Sequence, residues 1–257
     1  MTLNMYQVDA FASTPFTGNP AAVVPLQNWL PDSLMQLIAL ENNLSETAFF
    51  VPEGSGYLIR WFTPTAEVRL CGHATLATAF VIASFVSPGA SRMVFDSLSG
   101  ELRVEREGER YYLDFPAQPP VRCDDPEAVR LFGPDAEVYG GDDYLLVLSC
   151  EADVMHYIPD MAALKTMTKR GLIITAPGKT KDFVCRFFAP AIGIDEDPVT
   201  GSAFTRLIPY WNKRLGKTTM QARQVSNRGG DVACEIRGER VRIGGEAVLY
   251  LRGEITV

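Results

Sequence analysis

The sequence predicts an α+β protein of two like-built lobes, and three observations predict it. Short β-prone runs outnumber helical stretches along the 257 residues, a length that suits one large domain or two modest ones. The order strands, one small helix, strands, then a helix after a glycine-containing turn occurs once in each half. Between the halves stands Pro116-Ala-Gln-Pro-Pro120. Prolines this dense continue neither a sheet nor a helix, so the lobe boundary is placed there. One continuous α+β domain is the alternative that pattern alone leaves open.

The elements follow in order. Met5 to Val8 is a short strand through Tyr6 and Val8. Gly18-Asn19-Pro20 makes a tight turn into a strand at Ala21–Pro25. Pro31-Asp32 opens a helix on which Leu34, Leu37, Ile38 and Leu40 recur at helical spacing. Thr47–Val51 and Tyr57–Thr63 read as strands flanking the Pro52–Gly56 turn. Gly72 to Phe85, Ala-rich and closed by Pro88-Gly89, reads as one buried helix. Met93–Asp96, Leu102–Glu107 and Tyr111–Phe115 complete the first half as strands. In the second half Asp143–Ser149 reads as a strand and Pro159–Thr168 as a helix. Leu172–Ala176 and Asp182–Ala189 are strands, and Ser202 to Leu215 is a helix disturbed by Pro209. Met220–Ser226, Val232–Arg237, Arg240–Gly244 and Ala247–Val257 close the chain as strands.

Composition narrows the function. The apolar fraction of 47% and charged fraction of 21% are globular values, and no run approaches the ~18 apolar residues of a membrane span. A net charge of −7 without a basic block makes a poor polyphosphate binder, so neither nucleic acid nor membrane is an expected partner. Met1 to Ala10 carries no basic n-region and no apolar h-region, so a cleaved secretory signal is not expected. The five cysteines, Cys71, Cys123, Cys150, Cys185 and Cys234, are odd in number and widely spaced, with no C-x-x-C pair. That suggests neither a disulfide framework nor a zinc site, and a reducing cytoplasmic compartment is the natural reading. Two histidines, His73 and His156, exclude most His-rich metal sites.

Three segments carry candidate chemistry: Ser45-Glu46-Thr47, Cys71-Gly72-His73-Ala74-Thr75, and Asp195-Glu196-Asp197-Pro198-Val199-Thr200-Gly201-Ser202. In the last two, Gly72 and Gly201 sit at the start of a predicted helix, whose first turn offers unpaired N–H groups and partial positive charge. Such an end binds a carboxylate or steadies an oxyanion. The two ends could face one another across a cleft and hold one small anion. The plain alternative is that the glycines only start helices and that Thr200 or Ser202 is an N-cap. Each turn has a titratable neighbour, His73 or Asp197. At a helix N-terminus the His73 pKa is expected to fall, favouring the neutral ring. Asp195 and Glu196 read as solvated surface charge. Glu46, at the mouth of the apolar strand Ala48-Phe49-Phe50-Val51, is an acid/base candidate, with a surface or capping glutamate as the simpler reading. Cys71 raises the idea of a two-thiol racemase, but the second turn has no cysteine, so Cys71 reads as a small buried residue.

These segments resemble the phenazine biosynthesis isomerase-like family, which has a diaminopimelate-epimerase-type fold. The matching pieces are YQVDAF, FTGNPAAVV, NLSETAFF, IRWFTPTAEVRLCGHATLATA, DEDPVTGSA and VSNRGG. They occur in family order over nearly the whole chain, and LCGHATLA with DPVTGSA is the specific part. The resemblance implies two pseudo-symmetric lobes, each a curved, mostly antiparallel sheet around a central helix. It places them at residues 1–117, rejoined by the last strand at about 252–257, and 118–251. It also implies no metal, no organic cofactor, a homodimer, and a small carboxylate-bearing substrate. Glu46 then corresponds to the acid/base that moves a proton from one carbon to another and shifts a C=C bond. His73 and Asp197 correspond to groups that orient the substrate and assist proton relay. Gly72, Gly201 and Ser202 correspond to anion and hydroxyl binders, and Asn19 to a substrate-contacting asparagine. The turn Ser226–Gly230, with Ser226 and Gly229, would close one end of the cleft.

One departure matters. Many relatives carry a histidine and often a cysteine after the GSA triplet, where this chain has Phe204-Thr205-Arg206. A supporting polar group is lost, and Arg206 introduces a charge that would alter the cleft or a dimer face. The expected function is therefore a cofactor-independent isomerase using general acid/base catalysis. A binding module that kept the cleft but lost its chemistry, and an amino-acid racemase or epimerase relying on Cys71, are the alternatives.

Overall fold

In the computed structural model, which describes residues 1–257, the chain divides into Met1–Phe115 with Ile243–Val257, and Pro116–Arg242. The first unit holds β1 (Thr2–Ala10), β2 (Asn19–Pro25), α1 (Asp32–Asn42), β3 (Glu46–Glu53), β4 (Gly56–Phe62), β5 (Glu67–Val68), α2 (Gly72–Val81), β6 (Arg92–Ser97), β7 (Gly100–Glu107) and β8 (Arg110–Pro116). β1 and β2 pair antiparallel, β2 and β3 parallel, β3 and β4 antiparallel, and β4 and β6 parallel. The antiparallel meander β6–β7–β8 follows. A parallel pair cannot be closed by a hairpin and needs a crossover. α1 fills the crossover between β2 and β3, and α2 lies in that between β4 and β6.

α2 is the core helix of this unit. All its residues except Gly72 and Phe80 are buried, and it packs on β1, β2 and β3. Its alanines let the strands approach closely. The buried hydroxyls of Thr75 and Thr78 donate to the carbonyls of Cys71 and Ala74 at 2.6 and 2.7 Å, so neither is left unpaired. The regular helix ends at Val81, short of the expected Phe85, and Ile82–Val86 form a wider π-helical turn in which Ser87 N–H donates to Ile82.

The second unit repeats the alternation. It contains β9 (Val121–Arg122), α3 (Pro126–Phe132), β10 (Glu137–Gly140), β11 (Tyr144–Val147), α4 (Glu151–His156), α5 (Met161–Lys165), β12 (Leu172–Pro177), β13 (Phe183–Phe188), α6 (Gly201–Leu215), β14 (Thr219–Gln224) and β15 (Gly230–Arg237). β9, β10 and β11 pair antiparallel, and β11 and β12 are parallel. β12 and β13 are antiparallel, β13 and β14 parallel, β14 and β15 antiparallel. α4 and α5 bridge the first parallel step and α6 the second.

Pro209 does not interrupt α6. The proline has no N–H for the carbonyl of Thr205, and Gln118 N–H donates to that carbonyl instead, at 2.9 Å. Two residues further on, the Trp211 ring lies flat on Phe183 with centroids 5.5 Å apart, and its Nε1 donates to Thr175 Oγ1 at 3.0 Å. α3, α4 and the strand pair β9–β10 are additions to the expected elements. α3 carries an N-cap signal: Asp125 Oδ1 accepts from Ala128 N–H at 2.8 Å, with Pro126 opening the helix.

The last strand corrects two expectations. Arg240–Thr256 is one strand, β16, not two. Gly244 and Gly245 do not form a turn. A Cβ at either would lie 2.4 or 2.3 Å from the ring of Tyr112 or Phe11, so glycine serves close approach here. β16 pairs with β1 from Ala247 opposite Ala10 to Thr256 opposite Thr2. The chain therefore rejoins the first unit at Ile243, earlier than about 252. No helix is long and apolar enough to cross a membrane, and all five cysteines are free.

Candidate active site

The register of the first unit explains why three distant segments meet. β2 and β3 run parallel with Ala21 opposite Glu46. Asn19, two residues before Ala21, therefore opens its strand beside Glu46, which opens the next. α2 packs on both strands and begins at Gly72, which brings its second residue, His73, to the same end. His73 Nε2 lies 3.2 Å from Glu46 Oε2. On the other side of the ring, Nδ1 lies 3.2 Å from Asn19 Nδ2 and 3.5 Å from Cys71 Sγ. All four residues are buried, Asn19 completely and Glu46 to 9% exposure.

The facing atoms, His73 Nε2 and Glu46 Oε2, are close but misaligned, and neither completes a hydrogen bond within the protein. Buried polar atoms are rarely left so, and such exceptions concentrate at sites with chemical work. α2 adds backbone donors, because its N-cap residue Cys71 makes no side-chain bond to the first-turn amides. Glu46, Cys71 and His73 also offer O, S and N donors within 4.8 Å of one another. However, Glu46 and Cys71 address opposite nitrogens of one ring. That arrangement suits proton traffic along the imidazole better than convergence on one ion.

Burial lowers the pKa of His73, but charges on Cys71 and Glu46 together raise it well above its ordinary range, the reverse of the expected fall, and the Cys71 part requires an ionised thiol. The helix N-terminus is outweighed by side chains that tertiary structure places alongside. Burial pushes the Cys71 thiol up to about 11, with the Glu46 charge adding to it, so this cysteine is protonated at neutral pH.

The other expected residues lie in the second unit, around the segment that enters α6. Thr200 Oγ1 donates to Asp197 Oδ2 at 2.5 Å. Gln224, fully buried at the end of β14, holds both ends of this segment. Its Oε1 accepts from Thr200 N–H at 2.9 Å and its Nε2 donates to the Asp197 carbonyl at 2.7 Å. Ser226 Oγ donates to the Pro198 carbonyl at 2.8 Å and accepts from Gly229 N–H at 3.1 Å. Ser226 and Gly229 thus tie their turn to the same segment. Ser202 Oγ accepts from Arg170 Nη2 at 3.1 Å, and Gly201 is buried at the helix start.

Two charges depart from expectation. Glu196 is not a solvated charge, since both its oxygens engage Arg186, at 2.7 and 3.0 Å. Arg206 presents no free charge, being 5% exposed and held at 2.8 Å by both Asp142 and Asp143. Phe204 is fully buried beside Phe183. Gln224, Arg170 and Asp143 were not among the expected residues. No local motif marks them, because their partners are 24 to 63 residues away. Gln224→Leu is expected to lower stability by about 1–3 kcal/mol, since it leaves a buried amide and carbonyl without partners. Urea denaturation measures the loss, and an unchanged midpoint would show that the clamp is idle.

The model of the family described as phenazine biosynthesis-like protein matches residues 8–253. A Pseudomonas aeruginosa protein named an uncharacterized isomerase is 55% identical over 258 residues, covering 99% of each chain. A crystal structure of a PhzF-family phenazine biosynthesis protein from Enterococcus faecalis superposes with a TM-score of 0.96 at 51% identity, covering all of both chains. A predicted epimerase from Pseudomonas aeruginosa, at 21% identity and TM-score 0.75 over 99% of each chain, shares the fold. A match of this length and identity, on a chain whose Glu46 and His73 meet in a cluster of buried polar side chains, places this protein in the phenazine biosynthesis-like family.

Proposed function

We propose that this protein is a cofactor-independent isomerase that moves a proton, and with it a C=C bond, on a small carboxylate-bearing molecule. The observation that carries this reading is the buried Glu46–His73 pair, whose facing oxygen and nitrogen have no hydrogen bond of their own. In the forward step the Glu46 carboxylate takes a proton from a substrate carbon, and the released electron pair becomes the new C=C bond. The old double bond supplies the electrons that accept the proton from Glu46 at a second carbon. Nothing is oxidised or reduced, and the carboxylate is regenerated. His73 steadies the charge on Glu46, and the first-turn amides of α2 stabilise negative charge developing on the substrate. The family resemblance supports orienting roles for Asp197 and Ser202, and the diaminopimelate-epimerase-type description of the two lobes.

The test begins with thermal-shift screening of carboxylate metabolites, followed by incubation of each stabilising compound in D₂O. The expected result is deuterium at carbon in at least one compound, together with a shifted double bond. Binding without deuterium uptake across the panel would favour a binding module. Exchange that disappears in Cys71→Ser would favour a thiol racemase.

A further inference from the structure

The partner of His73 Nδ1 leaves the ring little choice. An amide nitrogen carries hydrogens and no available lone pair, so it can only donate. Asn19 Nδ2 lies 3.2 Å from Nδ1, and Asn19 is fully buried. Nδ1 must then accept, which puts the hydrogen of a neutral ring on Nε2, 3.2 Å from Glu46 Oε2. Cys71 acts in the same sense, because its Sγ lies 3.5 Å from the same nitrogen and carries a proton at neutral pH. The larger of the two charges that raise His73 is that of Cys71, and it is absent while the thiol is protonated. Burial and the Asn19 donor then both oppose a second proton on the ring.

We infer that Asn19 is a positioning residue that fixes His73 as the Nε2–H tautomer, with its hydrogen on the side of the ring that faces Glu46. This role differs from the substrate contact that resemblance assigns to Asn19. Its chemical use rests on the proposed isomerase reading: a ring that always carries N–H on the Glu46 side meets the base with a donor instead of a lone pair. The wrong tautomer would present a lone pair to that carboxylate and repel it.

The chain contains only two histidines, and the second, His156, is exposed at the end of α4, so ¹⁵N-histidine labelling of the full protein yields a simple spectrum. Long-range ¹H–¹⁵N correlation at pH 7 should show His73 with an unprotonated Nδ1 and a protonated Nε2. Asn19→Asp, nearly the same shape, replaces the donor with an acceptor and should protonate Nδ1 as well. A wild-type ring protonated at Nδ1 overturns the inference without reference to any substrate. So does an Asn19→Asp spectrum identical to wild type. Failure of the isomerase reading would appear separately, as absence of deuterium exchange with the tautomer intact. Where exchange is found, Asn19→Asp should slow it at least tenfold.

Discussion

Glu46→Gln is expected to slow substrate proton exchange by about 10²–10⁴-fold, the usual contribution of a general acid/base group. Glutamine keeps the shape of the side chain and its place opposite Ala21 in the β2–β3 register, but it cannot take up and return a proton. The fold should survive, because Glu46 Oε2 makes no hydrogen bond within the protein. Rates of deuterium incorporation into a substrate identified in D₂O, compared at equal saturation, measure the effect. Unfolding midpoints of the two proteins provide the control. A Gln variant exchanging at the wild-type rate would remove Glu46 from the chemistry.

Asp143→Ala is expected to cost about 3–5 kcal/mol of stability, the range for breaking a buried ion pair from one side. The Asp143 side chain is fully buried, between two arginines. Its Oδ2 accepts from Arg206 Nη1 at 2.8 Å and from Arg170 Nη2 at 2.6 Å, while Oδ1 accepts from Arg170 Nε at 2.8 Å. Without Asp143, the buried Arg206 keeps only Asp142, whose side chain is 77% exposed. Asp142→Ala leaves Asp143 in place and should cost no more than about 1 kcal/mol, as exposed pairs do. Urea denaturation of the two variants measures the contrast. Equal losses would show that Asp143 is not the anchor. Asp143→Ala also releases Arg170 from its two contacts, and with them the fixed donor on Ser202. Asp143 thus links a stabilising network to the start of α6.

The strands were legible wherever β-prone residues ran between turn residues, as in β3, β12 and β13. The starts of α2 and α6 were legible because a glycine beside small polar residues precedes an amphipathic or Ala-rich run. α3 had a readable start in Asp125-Pro126 but only seven residues to support it. The Gly244-Gly245 pair reads as a break, because sequence does not say whether glycine is used to turn the chain or to admit an aromatic ring.

From the sequence alone came the α+β class, the proline-marked boundary and the candidates Glu46, His73 and Asp197, all carried by short local patterns. Only the tertiary structure decided what those residues face. Strand register sets Asn19 and Glu46 on either side of the His73 ring, and burial of Cys71 keeps its thiol protonated. Gln224 clamps a segment 24 residues before it in the chain, and Arg206 is neutralised by aspartates more than sixty residues away. Local patterns determine backbone conformation, because helices and turns form among near neighbours. The electrostatic state of a buried side chain depends on through-space distance, and the chain order of its partners leaves no mark on that.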